Sequence, residues 1–507
     1  MAVAQGFPEF PANWRVPLFY ADVDPSQAGT PVIDEKSIAI GHKLTTGSAA
    51  ADVAQWATSA DFVASVTGAG SMVHQMAEAF FAVHPQGQLW FVPVDEPSAG
   101  VAATGTITFG GAPTEAGTLS LYIAGKRVQV AVASGAAVAD IASATADAIN
   151  ADTFLAVTAA AALGVVTLTC KWKGLTGNDI DLRVNYLGTL GGEATPAGLT
   201  VNLAAMGSIQ AGTGAPDLAD AIANLGDEPY DFWAWPWTDT ASLNVVQEEM
   251  KTGTGGRWAW DRQLYGGAFT AYRGSAAELQ TFGVARNDPF VHVIGLPDSP
   301  SAPWQIAAAY CARSTIFLLN DPARPLNTGI LNGIAGPRRE YRLTGQERNT
   351  LLYNGISPTT VDDDGTVRIT RSVSTYQRNQ FGSPDNAFLE TNTSFTLARV
   401  LRRLRARVER DFPRHKLAND GTRFGAGQAI VTPSMARSAI ISEYILLEEE
   451  GLVENRQVFI DNLIVERNAT DPTRLDVLFP PDLINQLHVF AVLAQYRLQY
   501  TDQALAA

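Results

Sequence analysis

The residues of this chain that could support catalysis or metal binding are few. Its six histidines are His42, His74, His84, His292, His415 and His488. None of their spacings matches that of a metal site. The chain also lacks a GxSxG nucleophile motif, a GxxxxGK(S/T) phosphate loop and an HExxH zinc motif. We therefore expect no catalytic residue, no metal ligand and no cofactor, and we predict that the protein is not an enzyme.

Three further motifs have a simpler structural interpretation. Residues 253–256 (GTGG) could hold a phosphate, but they follow a predicted helix rather than a strand, which favours a plain loop. Residues 362–365 (DDDG) lack the glycine and glutamate order of a calcium loop, and a hairpin turn between strands at 359–361 and 366–370 is the better interpretation. Residues 230–237 (YDFWAWPW) could stack a flat ligand, but a buried strand is the better interpretation.

The clearest electrostatic feature is a run of three glutamates, Glu448, Glu449 and Glu450, at the end of a helix predicted to start at Pro433. Carboxylates at a helix C-terminus oppose the helix dipole, at about 0.3–1 kcal/mol each when exposed. Arg402 and Arg405, on an arginine-rich amphipathic helix predicted over 397–410, could offset this cost in the same or the next subunit. A basic partner protein is a second possibility, and a solvated helix end is a third.

Composition limits the classes of protein to consider. The chain has 507 residues, 46% of them hydrophobic and 17% charged, which is enough to bury large cores. The net charge of −15 argues against nucleic-acid binding, since phosphate contacts need a basic surface. Cys170 and Cys311 give no disulfide framework. Neither a signal-peptide pattern nor a membrane-length apolar run occurs, so we expect a soluble protein made in a cytoplasm, without membrane insertion.

The order of the elements predicts an α/β multidomain protein. Buried strands at 37–41 and 89–94 flank a helix at 70–82, which indicates a parallel sheet covered on both faces. Residues 97–212 are rich in Ala, Gly, Thr and Val, and the α/β pattern resumes after them, as expected for an insertion. Paired strands are predicted at 457–466 and 474–478. We expect an N-terminal arm and linker at 1–34, an α/β middle domain at 35–96 and 213–395, an inserted α+β domain at 97–212, an α+β C-terminal core domain at 396–487 and a C-terminal strand arm at 488–507.

The sequence predicts an extended strand arm at each end of the chain. Residues 489–494 are continuously apolar, and a period of two follows, with no turn that would fold a hairpin back. The side chains expected to be buried by a partner are Phe490, Leu493, Tyr496 and Leu498. Near the start, residues 15–24 (RVPLFYADVD) form a short apolar strand on a turn-rich tether. Its candidate contact residues are Val16, Leu18, Phe19 and Tyr20. Unpaired strands invite pairing with another chain, which predicts polymerisation. Pairing of the two termini within one subunit is the alternative.

Four long blocks resemble Mu-like contractile phage tail sheath proteins. They are RVPLFYADVDPSQAGTP at 15–31, GNDIDLRVN at 177–185, GRWAWDRQLYGGAFTAYRG at 256–274 and the ending that starts with LVENRQVFIDNLIVERN at 452. The similarity covers nearly the whole chain in order, and it is weakest over 97–212.

The resemblance implies a structural role. Sheath subunits of this kind stack as hexameric rings around an inner tail tube, with the C-terminal core domain facing the tube. Contraction then drives the tube through a target cell envelope. The implied partners are other copies of the chain, the inner tail tube protein, and the baseplate and tail terminator proteins, with no direct nucleic-acid contact. The implied location is the virion, after synthesis in the host cytoplasm. The alternatives are an α/β hydrolase-like enzyme with oligomerising arms and a non-contractile shell protein.

Overall fold

The structure is a computed structural model that describes residues 36–496 and residue 498. The described chain begins with an α/β segment. Its elements are β1 (Lys36–His42), β2 (Gln55–Ala57), α1 (Ala60–Thr67), α2 (Met72–Val83) and β3 (Leu89–Val94). Both helices start at a serine, because the Ser59 and Ser71 hydroxyls accept hydrogen bonds from backbone N–H groups of the first turn.

The second segment is antiparallel. Its elements are β4 (Thr104–Gly111), β5 (Gly117–Ile123), β6 (Lys126–Val132), α3 (Val138–Ala151), β7 (Val157–Ala162), β8 (Val165–Cys170), β9 (Leu182–Val184) and β10 (Leu199–Ala204). They form two sheets, ordered β10-β4-β8-β7 and β6-β5-β9. The tight turn between β5 and β6 places Ala124 and Gly125 at φ values of 50° and 80°, as a two-residue hairpin turn requires.

The third segment returns to the α/β pattern. Its elements are α4 (Ala219–Leu225), β11 (Tyr230–Ala234), α5 (Thr240–Met250), β12 (Gly267–Tyr272), α6 (Ala276–Val284), β13 (Val291–Gly295), α7 (Pro303–Asn320), α8 (Gly345–Tyr353), β14 (Ile356–Val361) and β15 (Val367–Ile369). All of β11 is buried, which confirms the buried-strand interpretation of its aromatic run. Residues 362–365 join β14 to β15 as an antiparallel hairpin, with Gly365 at a φ of 89°, so the predicted turn is also confirmed.

The first and third segments share one eight-stranded sheet, ordered β15-β14-β13-β12-β11-β1-β3-β2. The six strands from β14 to β3 pair in parallel, and the two outermost strands are antiparallel. The second segment leaves this sheet after β3 and returns before β11. It also packs on the α/β segments: Trp172 meets Trp304 edge to face, with ring centroids 5.4 Å apart, and Arg183 donates to Asp298 over 2.9 Å.

The last segment has its own apolar core. Its elements are α9 (Thr391–Asp411), β16 (Lys416–Leu417), β17 (Ile430–Val431), α10 (Pro433–Glu449), α11 (Arg456–Asn462), β18 (Ile464–Arg467) and β19 (Leu475–Leu478). Val400 of α9 and Tyr444 of α10 are fully buried in this core, and Tyr444 stacks on Phe459 with ring centroids 3.8 Å apart. The helix α10 starts at Pro433 as predicted, Thr432 caps it, and Gly451 follows its end at a φ of 74°.

The predicted strand at 457–466 is wrong over most of its length. Residues 456–462 form α11, and strand structure starts only at Ile464. A helical turn buries Phe459 against Tyr444 and leaves Val458 exposed. Short apolar runs do not distinguish a helix from a strand by period alone, so the packing partner decided the conformation. Among the described residues, no helix is long and apolar enough to cross a membrane.

Candidate functional site

The C-terminal segment is anchored at His488 before it leaves the body of the protein. The Nε2 atom of His488 lies 3.3 Å from Oε2 of Glu390, and its Nδ1 lies 3.2 Å from the Asn327 amide nitrogen. The side chain of Arg371 binds the other oxygen of Glu390, with an Nε–Oε1 distance of 2.8 Å. Burial raises the pKa of Glu390, but the adjacent side chains of Arg371 and His488 outweigh it and hold that pKa below its ordinary value. The root of the segment therefore lies against a cluster of polar and charged side chains.

Beyond His488 the segment is apolar and exposed. The side chains of Val489, Phe490, Val492, Leu493, Tyr496 and Leu498 are between 73% and 98% exposed. Residues 488–496 form neither helix nor strand, so the predicted strand is not formed within the described chain. A contiguous exposed apolar surface of this kind is typical of an interaction site rather than of a monomer surface.

The two-stranded sheet β18–β19 is open to strand addition. Ile464 pairs with Leu478 and Val465 with Val477 in antiparallel register, and within the described residues no third strand joins them. Val465 packs on the core beneath, while Ile464, Val477 and Leu478 are largely exposed. An isolated pair of strands is marginal in water, and its free edges offer hydrogen-bonding groups to another chain.

The acidic end of α10 is partly neutralised within the chain. Arg403 of α9 bridges Glu443 and Glu450, with N–O distances of 3.0 and 2.6 Å. Glu448 accepts a hydrogen bond from the backbone N–H of Arg456. Glu449 is exposed and has no ion pair within the described part of the chain. The same-chain arginine helix is thus one partner of the acidic run, but the cation is Arg403, which the sequence analysis did not single out.

The two arginines named from the sequence lie elsewhere. Arg402 pairs with Asp231 at the start of β11, and its guanidinium lies 5.4 Å from the centre of the Tyr265 ring. Arg405 pairs with Glu409 one turn along α9, with an N–O distance of 2.7 Å, and both side chains are more than half exposed. In the described part of the chain, the ion pairs of these two arginines are thus with Asp231 and Glu409. The helical period could have identified Arg403, because it lies three residues after the buried Val400.

The N-terminal candidates Val16, Leu18, Phe19 and Tyr20 lie outside the described residues. Of the two predicted arms, the structure therefore describes only residues 488–496 and 498 of the C-terminal one.

Several histidine and cysteine side chains are buried, and burial shifts their pKa values towards the uncharged form. Burial lowers the pKa of His292 to about 3 and the pKa values of His42 and His74 to about 4, so these imidazoles are neutral near pH 7. Burial raises the pKa of the Cys170 thiol to about 12. Across residues 36–496 and 498, no cluster of His, Cys, Asp or Glu side chains could hold a metal ion.

Comparison with known proteins points to one family. A family model described as the phage tail sheath protein central domain matches residues 211–375, and one described as the phage tail sheath C-terminal domain matches residues 383–497. The Mu-like prophage FluMu tail sheath protein of Haemophilus influenzae (strain ATCC 51907 / DSM 11121 / KW20 / Rd) is 38% identical over 494 residues, covering 97% of this chain and 99% of that protein.

Solved structures of sheath tail proteins are also similar. The protein from Desulfitobacterium hafniense is 12% identical, with a TM-score of 0.45, and the match covers 92% of this chain and all of that one. The protein from Listeria innocua is also 12% identical with a TM-score of 0.45, and the match covers 89% of this chain and 92% of that one. The assignment to a family comes from the family models and the Haemophilus relative.

Proposed function

The chain belongs to the phage tail sheath protein family, a structural and non-enzymatic family, and we propose that its copies stack as hexameric rings around an inner tail tube. Contraction of this sheath drives the tube through the target cell envelope. The energy for contraction is stored in the contacts between subunits, because the sequence contains no nucleotide-binding motif.

The observation that carries this proposal is the exposed apolar segment at 489–498, together with the open sheet β18–β19. A peptide that adds a strand to a sheet gains main-chain hydrogen bonds worth about 1 kcal/mol net each. Burial of large apolar side chains adds about 1.5–3 kcal/mol for each one fully covered. Phe490, Leu493, Tyr496 and Leu498 supply four such side chains, enough for a firm link between subunits.

The N-terminal arm is the second half of the link. Residues 15–24 provide a short strand that joins the same sheet of a neighbouring copy through Val16, Leu18, Phe19 and Tyr20. The turn-rich tether at 25–31 lets the bodies of the subunits rotate while the strands stay paired. The lattice therefore remains connected during contraction.

Other copies of the chain, the inner tail tube protein, and the baseplate and tail terminator proteins are the proposed partners. The protein acts in the virion tail after synthesis in the host cytoplasm. Glu449 and Arg405, the more exposed charges at the C-terminal part, contact a neighbouring subunit or the tube. Arg402, which also pairs with Asp231 in its own chain, is a further candidate for such a contact.

Electron microscopy of the purified full-length protein tests the proposal. We expect striated tubes with a central bore. Discrete oligomers would favour an α/β hydrolase-like protein with oligomerising arms, and closed shells would favour a non-contractile shell protein. Either of these results would overturn the proposed stacking around a tube.

A further inference from the structure

An open groove lies between one face of α9 and the loop at 252–265. Its volume is about 810 Å³. The apolar side chains that line it include Trp258, Trp260, Tyr265, Leu397, Leu401 and Leu404. Trp260 is 75% exposed, although tryptophan offers the largest apolar surface of any residue. A groove with exposed aromatic and aliphatic walls is a surface suited to a protein partner.

The groove is held in shape by polar contacts behind its wall. Arg262 donates to the backbone oxygens of Gly226 and Gly255 and pairs with Asp227 and Glu249. Trp258 donates its indole N–H to the Gly266 oxygen over 2.8 Å. The loop is therefore fixed, and Trp260 is presented on a rigid support rather than on a mobile one. A preformed groove loses little entropy when a segment binds.

A segment with a composition suited to such a groove occurs in the sequence before the described residues. Residues 7–14 read FPEFPANW, with aromatic side chains at Phe7, Phe10 and Trp14 and prolines at 8 and 11. Prolines lack the N–H group that a strand needs, so this stretch is a poor addition to a sheet edge. Segments with spaced prolines instead bind grooves lined by aromatic side chains. The C-terminal residues 489–498 contain no proline, so they suit the sheet β18–β19 rather than the groove.

We propose that residues 7–14 of one copy dock in the α9 groove of a second copy. This inference rests on the proposed function, which brings copies together in a lattice. Twenty-one residues lie between Trp14 and Lys36. Fully extended, they span at most about 70–80 Å, so the segment can reach a neighbouring subunit. Glu9 supplies the one acidic side chain of the segment, and Arg405 at the edge of the groove has the opposite charge. The exposed pair of Arg405 with Glu409 is weak, which leaves Arg405 able to bind a second carboxylate.

Disulfide cross-linking between two full-length variants tests the docking. One variant carries Phe10→Cys and the other carries Leu401→Cys, and the native Cys170 and Cys311 are buried. The two are mixed, assembled and oxidised. We expect about tenfold more covalent dimer than in a matched mixture in which Leu190→Cys, at a fully exposed position outside the groove, replaces Leu401→Cys. If Leu401→Cys reduces the yield of folded protein, Val408→Cys replaces it, because Val408 lines the same groove and is exposed.

Three results separate the possibilities. A covalent dimer specific to the groove cysteines supports docking between copies. Tubes that form normally without a specific dimer would overturn the docking and leave the proposed function intact. A single chain carrying both cysteines that cross-links only internally would also overturn it, because the segment would then occupy its own groove. If the unmodified protein forms no tubes, the proposed function fails instead.

Discussion

The Nε2 atom of His488 lies 3.3 Å from a carboxylate oxygen of Glu390, the residue that immediately precedes α9. The contact fixes the point at which the C-terminal segment leaves the body. Everything from Val489 to Tyr496 is then exposed, so the anchor and the free segment are adjacent in the chain. A link between subunits needs both, because a strand bound to a neighbour transmits force only if its root is held.

Replacing Phe490, Leu493 and Tyr496 with serine should leave the subunit folded and reduce the yield of tubes more than tenfold. These side chains are exposed in the subunit, and exposed substitutions change the free energy of unfolding by about 0.5 kcal/mol or less. The measurements are thermal melting and tube counts by electron microscopy. The matched control replaces three exposed apolar residues of the second segment, Leu163, Leu190 and Ile209. Equal loss of tubes in the control would show that the segment is not the link.

The stability of the subunit should decrease as the pH falls below the ordinary pKa of Glu390, about 4.5. The pKa of Glu390 is lower in the folded state, so its ionised form stabilises the fold above that value. This contribution is lost as the pH drops through the lowered pKa. Urea unfolding from about pH 7 to about pH 3 should show a shallower loss for Glu390→Gln than for the unchanged protein. Glu115→Gln, at an exposed position, is the control. If the free energy of unfolding falls equally with pH in all three proteins, the ionised Glu390 does not stabilise the fold.

Removing Arg403 should destabilise the subunit far more than removing Arg405. Arg403→Met leaves the buried Glu443 with one weak ion pair among the described residues, to Arg407 at 3.7 Å. We expect the free energy of unfolding to fall by about 2–3 kcal/mol. Arg405→Met breaks only an exposed pair on one helix and should cost about 0.5 kcal/mol or less. Chemical denaturation of the two variants gives the comparison directly. If both variants lose a similar free energy of unfolding, the Arg403 bridge between α9 and α10 contributes little to stability.

Glu449→Lys should weaken assembly without destabilising the subunit. Glu448 and Glu450 have cationic partners in the chain, so a reversal of all three charges would mix two effects. Glu449 is exposed at the helix C-terminus, where a lysine is favoured by the dipole. We expect an unchanged or slightly raised Tm, fewer tubes, and native tubes that weaken with added salt. If Glu449→Lys assembles as well as Glu115→Lys, the glutamate is a solvated helix end.

The sequence alone determined several of the elements and the absence of known catalytic motifs. Its apolar runs and turn residues predicted β1, the β14–β15 hairpin and the capped helix α10, because these depend on residues close together in the chain. The long blocks that resemble tail sheath proteins also placed the chain in its family, as the Haemophilus relative shows.

Only the tertiary structure decided which side chains meet. The charge partner of Glu450 is Arg403 rather than Arg402 or Arg405, because the turn of α9 directs Arg403 towards α10. The run at 456–462 became a helix because Phe459 stacks on Tyr444. The contact of Arg183 with Asp298 joins residues 115 positions apart, and no local pattern could have indicated it. Such contacts depend on how elements far apart in the sequence pack together, and local sequence patterns do not predict that packing.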